Sequence, residues 1–255
     1  MNSPALVVGF AAEARVARLT GWRVAIGGGT TAGAARAVRK LIDAGASGIV
    51  SFGLAGGLDV SLPAGALIVA EAVTAGGRTW RTDSRLNARL GGTTRHLCLG
   101  LDRVVVSADE KQRLSQETGA SLVDMESGAV AAAAAEAGLP FAVLRAICDQ
   151  ADRTLPPAAL VALNTAGRLV AARLALSVLG RPRQLLELVG LARDAAVARK
   201  ALRARAMRMA PQGMASHGMA SHGTASQGVA AEWILPERIL PDRMLLDGII
   251  PEGIL

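Results

Sequence analysis

Short runs rich in Val and Ile alternate with helical patterns over the first 180 residues, and this alternation limits the fold more than any other feature. It is typical of an α/β domain, in which helices cover a central sheet. The predicted strands are Ala5–Gly9, Trp22–Ile26, Gly48–Phe52, Ala66–Val73, Arg103–Ser107, Ser121–Val123 and Phe141–Ile147. The predicted helices are Glu13–Arg18, Thr31–Ala44, Glu126–Ala137 and a segment from Pro156–Pro157 to Leu179.

The composition changes after residue 180 and predicts three segments. Residues 1–180 form the α/β domain, and residues 181–209 form a basic, helix-prone extension. Residues 181–210 carry eight basic and two acidic side chains. Residues 210–255 contain the repeat GMASHGMASHGTASQG and apolar groups broken by proline, so we predict a mostly disordered tail there.

Several functional classes are excluded by composition. Aromatic residues make up 2% of the chain and no nucleic-acid reader motif is present, so we expect no nucleic-acid partner. Cys98, Cys148 and the three histidines lack metal-ligand spacing, so we expect no metal and no organic cofactor. No charge-free apolar run reaches about 18 residues, and no basic signal-peptide start is present. We therefore expect a cytoplasmic protein.

Gly27–Gly29 lies after a predicted strand and before a predicted helix, which fits the dinucleotide pattern G-x-G-x-x-A. The next strand ends in Ser51–Phe52–Gly53, without the acidic residue that holds a ribose hydroxyl. We therefore favour a glycine turn that enters a helix over a NAD site. The N–H groups at the start of that helix can still face an anion.

A glycine-rich stretch, SFGLAGGLD, follows directly from a predicted buried strand. Gly53, Ala55, Gly56 and Gly57 bring bare backbone to the carboxyl end of the sheet, where ligands of open α/β sheets bind. A tight turn without function explains the glycines equally well.

Two further motifs combine charges with apolar segments. In VDMES, Asp124 and Glu126 lie at a strand-to-helix junction. Asp124 suits a helix N-cap, and Glu126 either favours the helix dipole or accepts hydrogen bonds from a vicinal diol. In LRAICDQAD, Arg145 lies in an apolar strand ahead of Asp149, which is consistent with a structural ion pair or with a catalytic acid tuned by burial.

Taken in order, SFGLAGGL, VDMES and LRAICDQAD resemble the superfamily of purine nucleoside phosphorylases and 5′-methylthioadenosine/S-adenosylhomocysteine nucleosidases. The resemblance covers about residues 5–180 and is strongest to the hopanoid-associated phosphorylase branch, through VDMESGAVAAAAAEAGLPF and RAICDQADRTLPPAAL. It implies a three-layer phosphorylase/hydrolase-like fold with a mixed sheet flanked by helices. It also implies a homo-oligomer, because family members often share pocket residues across a subunit interface.

The same resemblance implies roles for individual residues. Asp149 would protonate N7 of the leaving adenine, and Arg145 would lie near the catalytic centre. Glu126 would accept hydrogen bonds from the ribose 2′- and 3′-hydroxyls, and Met125 would pack on the sugar. The backbone of Gly53, Leu54, Ala55 and Gly56 would line the pocket for base and sugar.

Two nucleophiles remain open in the sequence. Family hydrolases activate water with a glutamate near the first strand, for which Glu13 is the candidate. Phosphorylases bind inorganic phosphate as co-substrate, for which Gly9, Arg15, Arg36 and the Gly28–Thr31 turn are candidates. A solvated helix surface is the simpler explanation for each arginine.

By this resemblance, we predict an enzyme that releases adenine from a lipid-linked nucleoside, adenosylhopane, and gives ribosylhopane or its 1-phosphate. Leucines and arginines in residues 183–208 suggest peripheral contact with the anionic inner membrane surface. The alternatives are a soluble methylthioadenosine/S-adenosylhomocysteine nucleosidase and a non-catalytic nucleoside-binding protein or nucleotide-dependent regulator.

Overall fold

The computed structural model describes residues 3–156 and 184–210, all of which belong to the unit Met1–Met214. The predicted helix after Pro156 and the predicted tail lie outside the described residues. The strands are β1 (Ala5–Val8), β2 (Arg23–Ile26), β3 (Ile49–Gly57), β4 (Leu67–Val69), β5 (Ala72–Ala75), β6 (Arg78–Arg81), β7 (Leu97–Gly100), β8 (Leu122–Asp124) and β9 (Phe141–Asp149). The α-helices are α1 (Ala11–Ala17), α2 (Thr31–Asp43), α3 (Ser84–Arg89), α4 (Ala108–Thr118), α5 (Ser127–Glu136) and α6 (Gln184–Met209), and a 3₁₀ turn follows α1 at Arg18–Thr20.

The nine described strands form one mixed sheet. The strand order is β2-β1-β3-β8-β7-β5-β6, and β9 pairs with both β3 and β4. β1 runs parallel with β2 and β3, and β9 runs parallel with β3, whereas β8 pairs antiparallel with the last two residues of β3. The long strand β3 therefore joins the two halves of the sheet.

Helices cover both faces of this sheet, and the alternation of side chains along β1 explains why. Ala5 and Val7 belong to the core cluster that contains residues of α2 and α5. Leu6 and Val8 belong to the opposite cluster, with residues of α1, α3 and α6. Successive residues of a strand point to opposite faces, so a fully apolar strand needs a helical layer on each side. The predicted three-layer α/β architecture is confirmed.

The predicted strand Arg103–Ser107 is wrong. The neighbouring segment Leu97–Gly100 forms β7 and pairs with β5 and β8. Arg103 forms an ion pair with Glu110 at 2.6 Å, and Ser107 caps α4 by accepting a hydrogen bond from the N–H of that glutamate at 3.2 Å. The valine-rich segment therefore connects into a helix, because Ser107 at its end is suited to cap that helix.

The predicted strand Ala66–Val73 is two strands with different partners. β4 pairs antiparallel with β9, and β5 pairs parallel with β7. The strand β6 and the helices α3 and α4 have no counterpart in the sequence prediction. Sequence-based interpretation fails here because these elements are short and half-exposed, so their apolar periodicity is weak.

Gln184–Met209 of the basic extension forms α6, and one side of this helix packs on the domain. Ala198, Leu202 and Ala206 are fully buried in the core cluster of α1 and β3. Their spacing of four residues places them on one side of the helix. In the described part of the chain, no helix is long and apolar enough to cross a membrane.

Candidate active site

The pairing of β3 with β9 places glycines opposite the charged residues of the Arg145 motif. Gly53 is in register with Arg145, and Gly56 is in register with Asp149. The glycine stretch was expected at the carboxyl end of a strand, but it lies within β3. The register shifts between Ala55 and Gly56, so β9 has one extra residue just before Asp149. Such bulges change the direction of the side chains that follow, and they are frequent beside active sites.

Arg145 is completely buried at the centre of a polar cluster. Its Nε lies 2.7 Å from Asp124 Oδ2, and its Nη2 lies 3.1 Å from Glu126 Oε2. Nη2 also donates to the hydroxyl of Ser51 at 2.7 Å, and Nη1 donates to the carbonyl oxygen of Leu54 at 3.3 Å. The neighbouring carboxylates raise the pKa of Arg145, so this guanidinium remains charged.

Asp124 anchors the start of α5, although it is not itself the N-cap residue. Its Oδ1 accepts hydrogen bonds from the backbone N–H groups of Glu126 at 3.1 Å and Ser127 at 2.8 Å. Its Oδ2 lies against the Ser127 hydroxyl and pairs with Arg145. The capping role expected for Asp124 and the ion pair expected for Arg145 are thus combined in one residue, which fixes the backbone that carries Glu126.

Glu13 is buried at the start of α1 and its carboxylate accepts three backbone hydrogen bonds. Oε2 accepts from the N–H groups of Gly9 at 2.9 Å and Phe10 at 3.0 Å, so Glu13 makes the glutamate half of a capping box to its N-cap residue. Oε1 accepts from the N–H of Leu54 in β3 at 2.8 Å. Burial raises the pKa of Glu13, while Arg145 and these three donors oppose that shift.

Gly9 and Gly53 allow Glu13, Glu126 and Arg145 to approach one another. A Cβ on Gly9 would lie 2.8 Å from Glu126 Oε1 and 3.1 Å from Glu13 Oε2. A Cβ on Gly53 would lie 2.3 Å from Glu13 Oε1 and 2.6 Å from Arg145 Nη1. A methyl group at either position would push the charged groups apart, so steric crowding at the site explains why glycine stands at both positions.

The cluster holds three carboxyl groups, those of Glu13, Asp124 and Glu126, around one guanidinium. Burial raises the pKa of Glu126 to about 7, and Asp124 and Glu13 add to the shift while Arg145 opposes it. A carboxyl group with a pKa near neutrality can exchange a proton or accept hydroxyl hydrogen bonds under ordinary conditions.

Asp149 follows Arg145 by four residues in β9. A strand rises roughly 3.3 Å per residue, so the two positions are about 13 Å apart along it. Asp149 is 7% exposed, and its Oδ2 lies 2.7 Å from Lys111 Nζ, which forms an ion pair with it when the acid is ionised. Burial raises the pKa of Asp149, and Lys111 opposes that shift. The site therefore has an acid with a raised pKa at one end and the Arg145 cluster at the other.

The remaining predicted residues divide into those at the site and those on the surface. Ala55 is buried in β3, and Met125 is half-buried between Asp124 and Glu126. Arg15 and Arg36 are exposed on α1 and α2. This exposure fits the simpler explanation that both belong to a solvated helix surface.

The Gly28–Thr31 turn leads into α2, where Thr30 caps the helix by accepting a hydrogen bond from the N–H of Gly33 at 3.1 Å. Gly28 and Gly29 have φ values of 75° and 67°. The favoured interpretation of a glycine turn entering a helix fits this geometry.

Sequence reasoning missed Lys111, Ser51 and Ser127. The two serines are buried within hydrogen-bonding distance of Arg145 Nη2. Lys111 is fully buried in α4 and lies three residues before the inward-facing Leu114. A lysine on the apolar side of a helix was the available signal, but it required α4 to be recognised first.

Among the described residues, no group of three or more His, Cys, Asp or Glu side chains is arranged to hold a metal ion. The clustered carboxylates are instead paired with Arg145, and Asp149 with Lys111. The absence of a metal and of an organic cofactor stays a prediction.

Residues 84–179 match the model of the Phosphorylase superfamily. The matched stretch contains Asp124, Glu126, Arg145 and Asp149, whereas Glu13 and Gly53 lie before it. No curated protein matches the chain.

Three solved structures illustrate the likeness of the fold. 5′-Methylthioadenosine/S-adenosyl homocysteine nucleosidase from Helicobacter pylori is 18% identical, with a TM-score of 0.58 over 80% of this chain and 97% of that chain. Futalosine hydrolase from the same organism gives the same values. S-adenosylhomocysteine nucleosidase from Streptococcus pyogenes is 20% identical, with a TM-score of 0.54 over 59% of this chain and 85% of that chain.

These likenesses confirm the nucleosidase-like fold expected from the motifs, and the superfamily match supports an enzyme of the nucleosidase or phosphorylase type. The hopanoid-associated branch, oligomerisation and membrane contact stay predictions.

Proposed function

We propose that this protein hydrolyses the N-glycosidic bond of an adenine nucleoside, with water rather than phosphate as the nucleophile. The observation that carries the proposal is the buried Glu13 carboxylate, held by three backbone N–H groups beside Arg145 and Glu126. A fixed carboxylate with a raised pKa is suited to accept a proton from water.

Glu13 also favours hydrolysis over phosphorolysis for a simple electrostatic reason. The N–H groups of Gly9, Phe10 and Leu54 would suit an anion, but they already bind the Glu13 carboxylate. Arg15 and Arg36, the candidate phosphate ligands, are exposed on their helices. A phosphate brought to this position would meet buried carboxylates, which costs free energy.

In the proposed reaction, Asp149 donates its proton to N7 of the adenine while the bond between C1′ and N9 breaks. The electron pair of that bond goes to the purine, whose charge the new proton neutralises. Water forms the new bond to C1′ and gives its proton to Glu13. Adenine and the free sugar leave, and exchange with solvent moves one proton from Glu13 back to Asp149.

Glu126 and Arg145 bind and orient the sugar in this scheme. The ionised Glu126 accepts from the 2′- and 3′-hydroxyls, and Met125 covers the sugar. Arg145 holds Glu126 Oε2 in place at 3.1 Å and stays charged next to the reaction centre. A fixed cation and fixed carboxylates act without the reorganisation that water would need.

We further propose adenosylhopane as the substrate, and ribosylhopane as the product. The support is the resemblance of VDMESGAVAAAAAEAGLPF and RAICDQADRTLPPAAL to the hopanoid-associated branch. The exposed basic side of α6 supports contact with an anionic membrane, where such a lipid resides. A soluble nucleosidase acting on methylthioadenosine or S-adenosylhomocysteine is the second candidate, supported by the likeness of the fold to nucleosidases of that kind.

The deciding experiment is chromatography of the products from 5′-methylthioadenosine and from adenosine with a long apolar 5′ substituent, each with and without phosphate. We expect adenine and a free sugar under both conditions, and faster turnover of the apolar substrate. A sugar 1-phosphate formed only with phosphate would refute hydrolysis. Adenine from neither substrate would favour the nucleoside-binding alternative.

A further inference from the structure

A buried ammonium group lies beside the proposed acid. Lys111 is fully buried, and its Nζ is 2.7 Å from Asp149 Oδ2. The same nitrogen donates to the carbonyl oxygens of Gln150 and Arg153, each at 2.8 Å. An ammonium has three N–H donors, so these three partners satisfy it completely. Its position is therefore fixed by the last residue of β9 and the segment that follows it.

We propose that Lys111 is a positioning residue for the acid, holding Asp149 through Oδ2 so that Oδ1 is the atom that delivers the proton to the leaving base. This inference rests on the proposed function of Asp149. It adds a residue of α4 to a site otherwise built from β3, β9 and the starts of α1 and α5.

The two oxygens of Asp149 have different surroundings. Oδ2 faces Lys111, whereas Oδ1 is buried and accepts no hydrogen bond from the described residues. A buried carboxyl oxygen without a donor is costly when charged. The proton of the neutral acid is therefore best placed on Oδ1, where it can meet an acceptor nitrogen of the substrate.

Proton transfer makes the contact with Lys111 stronger. Before transfer, the ammonium faces a neutral carboxyl group, and after transfer it faces a carboxylate. An interaction that strengthens as charge develops lowers the barrier instead of merely binding the substrate. The ammonium is already in position, so no rearrangement is needed.

Two other charged groups near Asp149 act on it in opposite directions. Arg153 favours the ionised form of Asp149, and Asp194 of α6 opposes it. These two residues also form an ion pair with each other. The thiol of Cys148 is neutral near pH 7, because burial and the neighbouring Asp149 raise its pKa to about 12. Lys111 is thus the principal group that counteracts the effect of burial on the acid.

The test compares Lys111→Met with the exposed-lysine control Lys40→Met, using kcat for 5′-methylthioadenosine as a function of pH. Loss of the ammonium makes Asp149 a weaker acid. The basic limb of the profile should move up by about 1 to 3 pH units, and kcat at its maximum should fall about tenfold or more. A fall in kcat or thermal stability with an unmoved basic limb would show a merely structural lysine and overturn the proposal.

A measurement on the unaltered protein decides the case if Lys111→Met does not fold. NMR measures the chemical shifts of the Asp149 carboxyl carbon and the Lys111 amine nitrogen as a function of pH, in the absence of substrate. The spectrum of Asp149→Asn assigns the signals. We expect both signals to share one midpoint, and the nitrogen to lose this inflection in Asp149→Asn. If the Lys111 nitrogen shift does not change as Asp149 titrates, the pairing is refuted. Inactivity toward nucleosides with intact coupling refutes the proposed function instead.

Discussion

Replacement of Asp149 by Asn keeps the shape of the side chain and removes its acidic proton. Its amide oxygen can still accept from Lys111, so the fold should be retained. We expect kcat for adenine release to fall at least about 100-fold, with a melting temperature within a few degrees of that of the unaltered protein. Asp43→Asn, at an exposed position in α2, is the matched control. Full activity of Asp149→Asn would remove Asp149 from the mechanism.

The pKa of Glu126 predicts how sugar binding depends on pH. Because this pKa is raised to about 7, the ionised fraction increases between roughly pH 6 and pH 8. Only the carboxylate accepts from both hydroxyls, so KM for a ribonucleoside should fall over this range. KM for the 2′,3′-dideoxy analogue should not.

Glu126→Gln tests the same point by substitution. At pH 8 it should lower kcat/KM for the ribonucleoside about tenfold or more, because a hydrogen bond to a charged acceptor contributes roughly 1.5–3 kcal/mol. The loss on the dideoxy analogue should be much smaller. Equal losses on the two substrates would place Glu126 outside the sugar site.

The sequence predicted the identities of the clustered residues better than their partners. Arg145 is visible because a charge in an apolar strand is costly unless it is paired, whereas Glu13 became a candidate only through the family resemblance. Lys111 escaped notice because its partner lies 38 positions further along the chain, in the segment at the end of β9. Pairing over such separations depends on the packing of α4 against that segment, and no local pattern records it.

At the scale of elements, the close approach of Glu13 and Arg145 to β3 requires Gly53. In Gly53→Ala, the new methyl group would lie 2.3 Å from Glu13 Oε1 and 2.6 Å from Arg145 Nη1. We expect loss of most activity and lower thermal stability, since two buried charged groups must move. Kinetics and thermal unfolding measure both effects.

Gly190→Ala in α6 is the control for that substitution. Its Cβ would approach Arg153 Nη1 no closer than 3.6 Å, and alanine favours a helix over glycine by up to about 1 kcal/mol. It should leave activity unchanged and the protein slightly more stable. If Gly53→Ala behaves in the same way, β3 does not position the cluster.

Fully apolar runs and periodic helices were predictable, whereas some other short elements were not. β1, β3, β9 and α2 follow from runs of apolar residues or from helical periodicity, because both faces of the sheet are covered. β6, β7 and α3 are four to six residues long and depend on neighbours distant in sequence. The strand predicted at Arg103–Ser107 is formed instead by Leu97–Gly100, which shows this dependence. Either segment has strand-forming residues, but only one reaches β5 and β8.

For the molecule as a whole, α6 determines how membrane contact can be tested. Ala198, Leu202 and Ala206 are buried in the core, so deletion of the segment after residue 180 would expose apolar surface. A loss of membrane binding by that variant could then result from unfolding alone. Arg193, Lys200 and Arg203 are exposed on this helix. Substitutions there change the charge and leave the packed side intact.

We expect the triple variant Arg193→Gln/Lys200→Gln/Arg203→Gln to lose binding to vesicles that contain anionic lipid. At about 1 kcal/mol for each basic residue near such a surface, the loss should be on the order of 100-fold at low salt. Sedimentation with neutral and anionic vesicles measures it, while turnover of soluble 5′-methylthioadenosine should be unchanged. The control Arg18→Gln/Arg39→Gln/Lys40→Gln removes the same charge from exposed positions elsewhere. If both variants lose binding equally, attraction is a property of the net charge of +7 and α6 is not the membrane-facing surface.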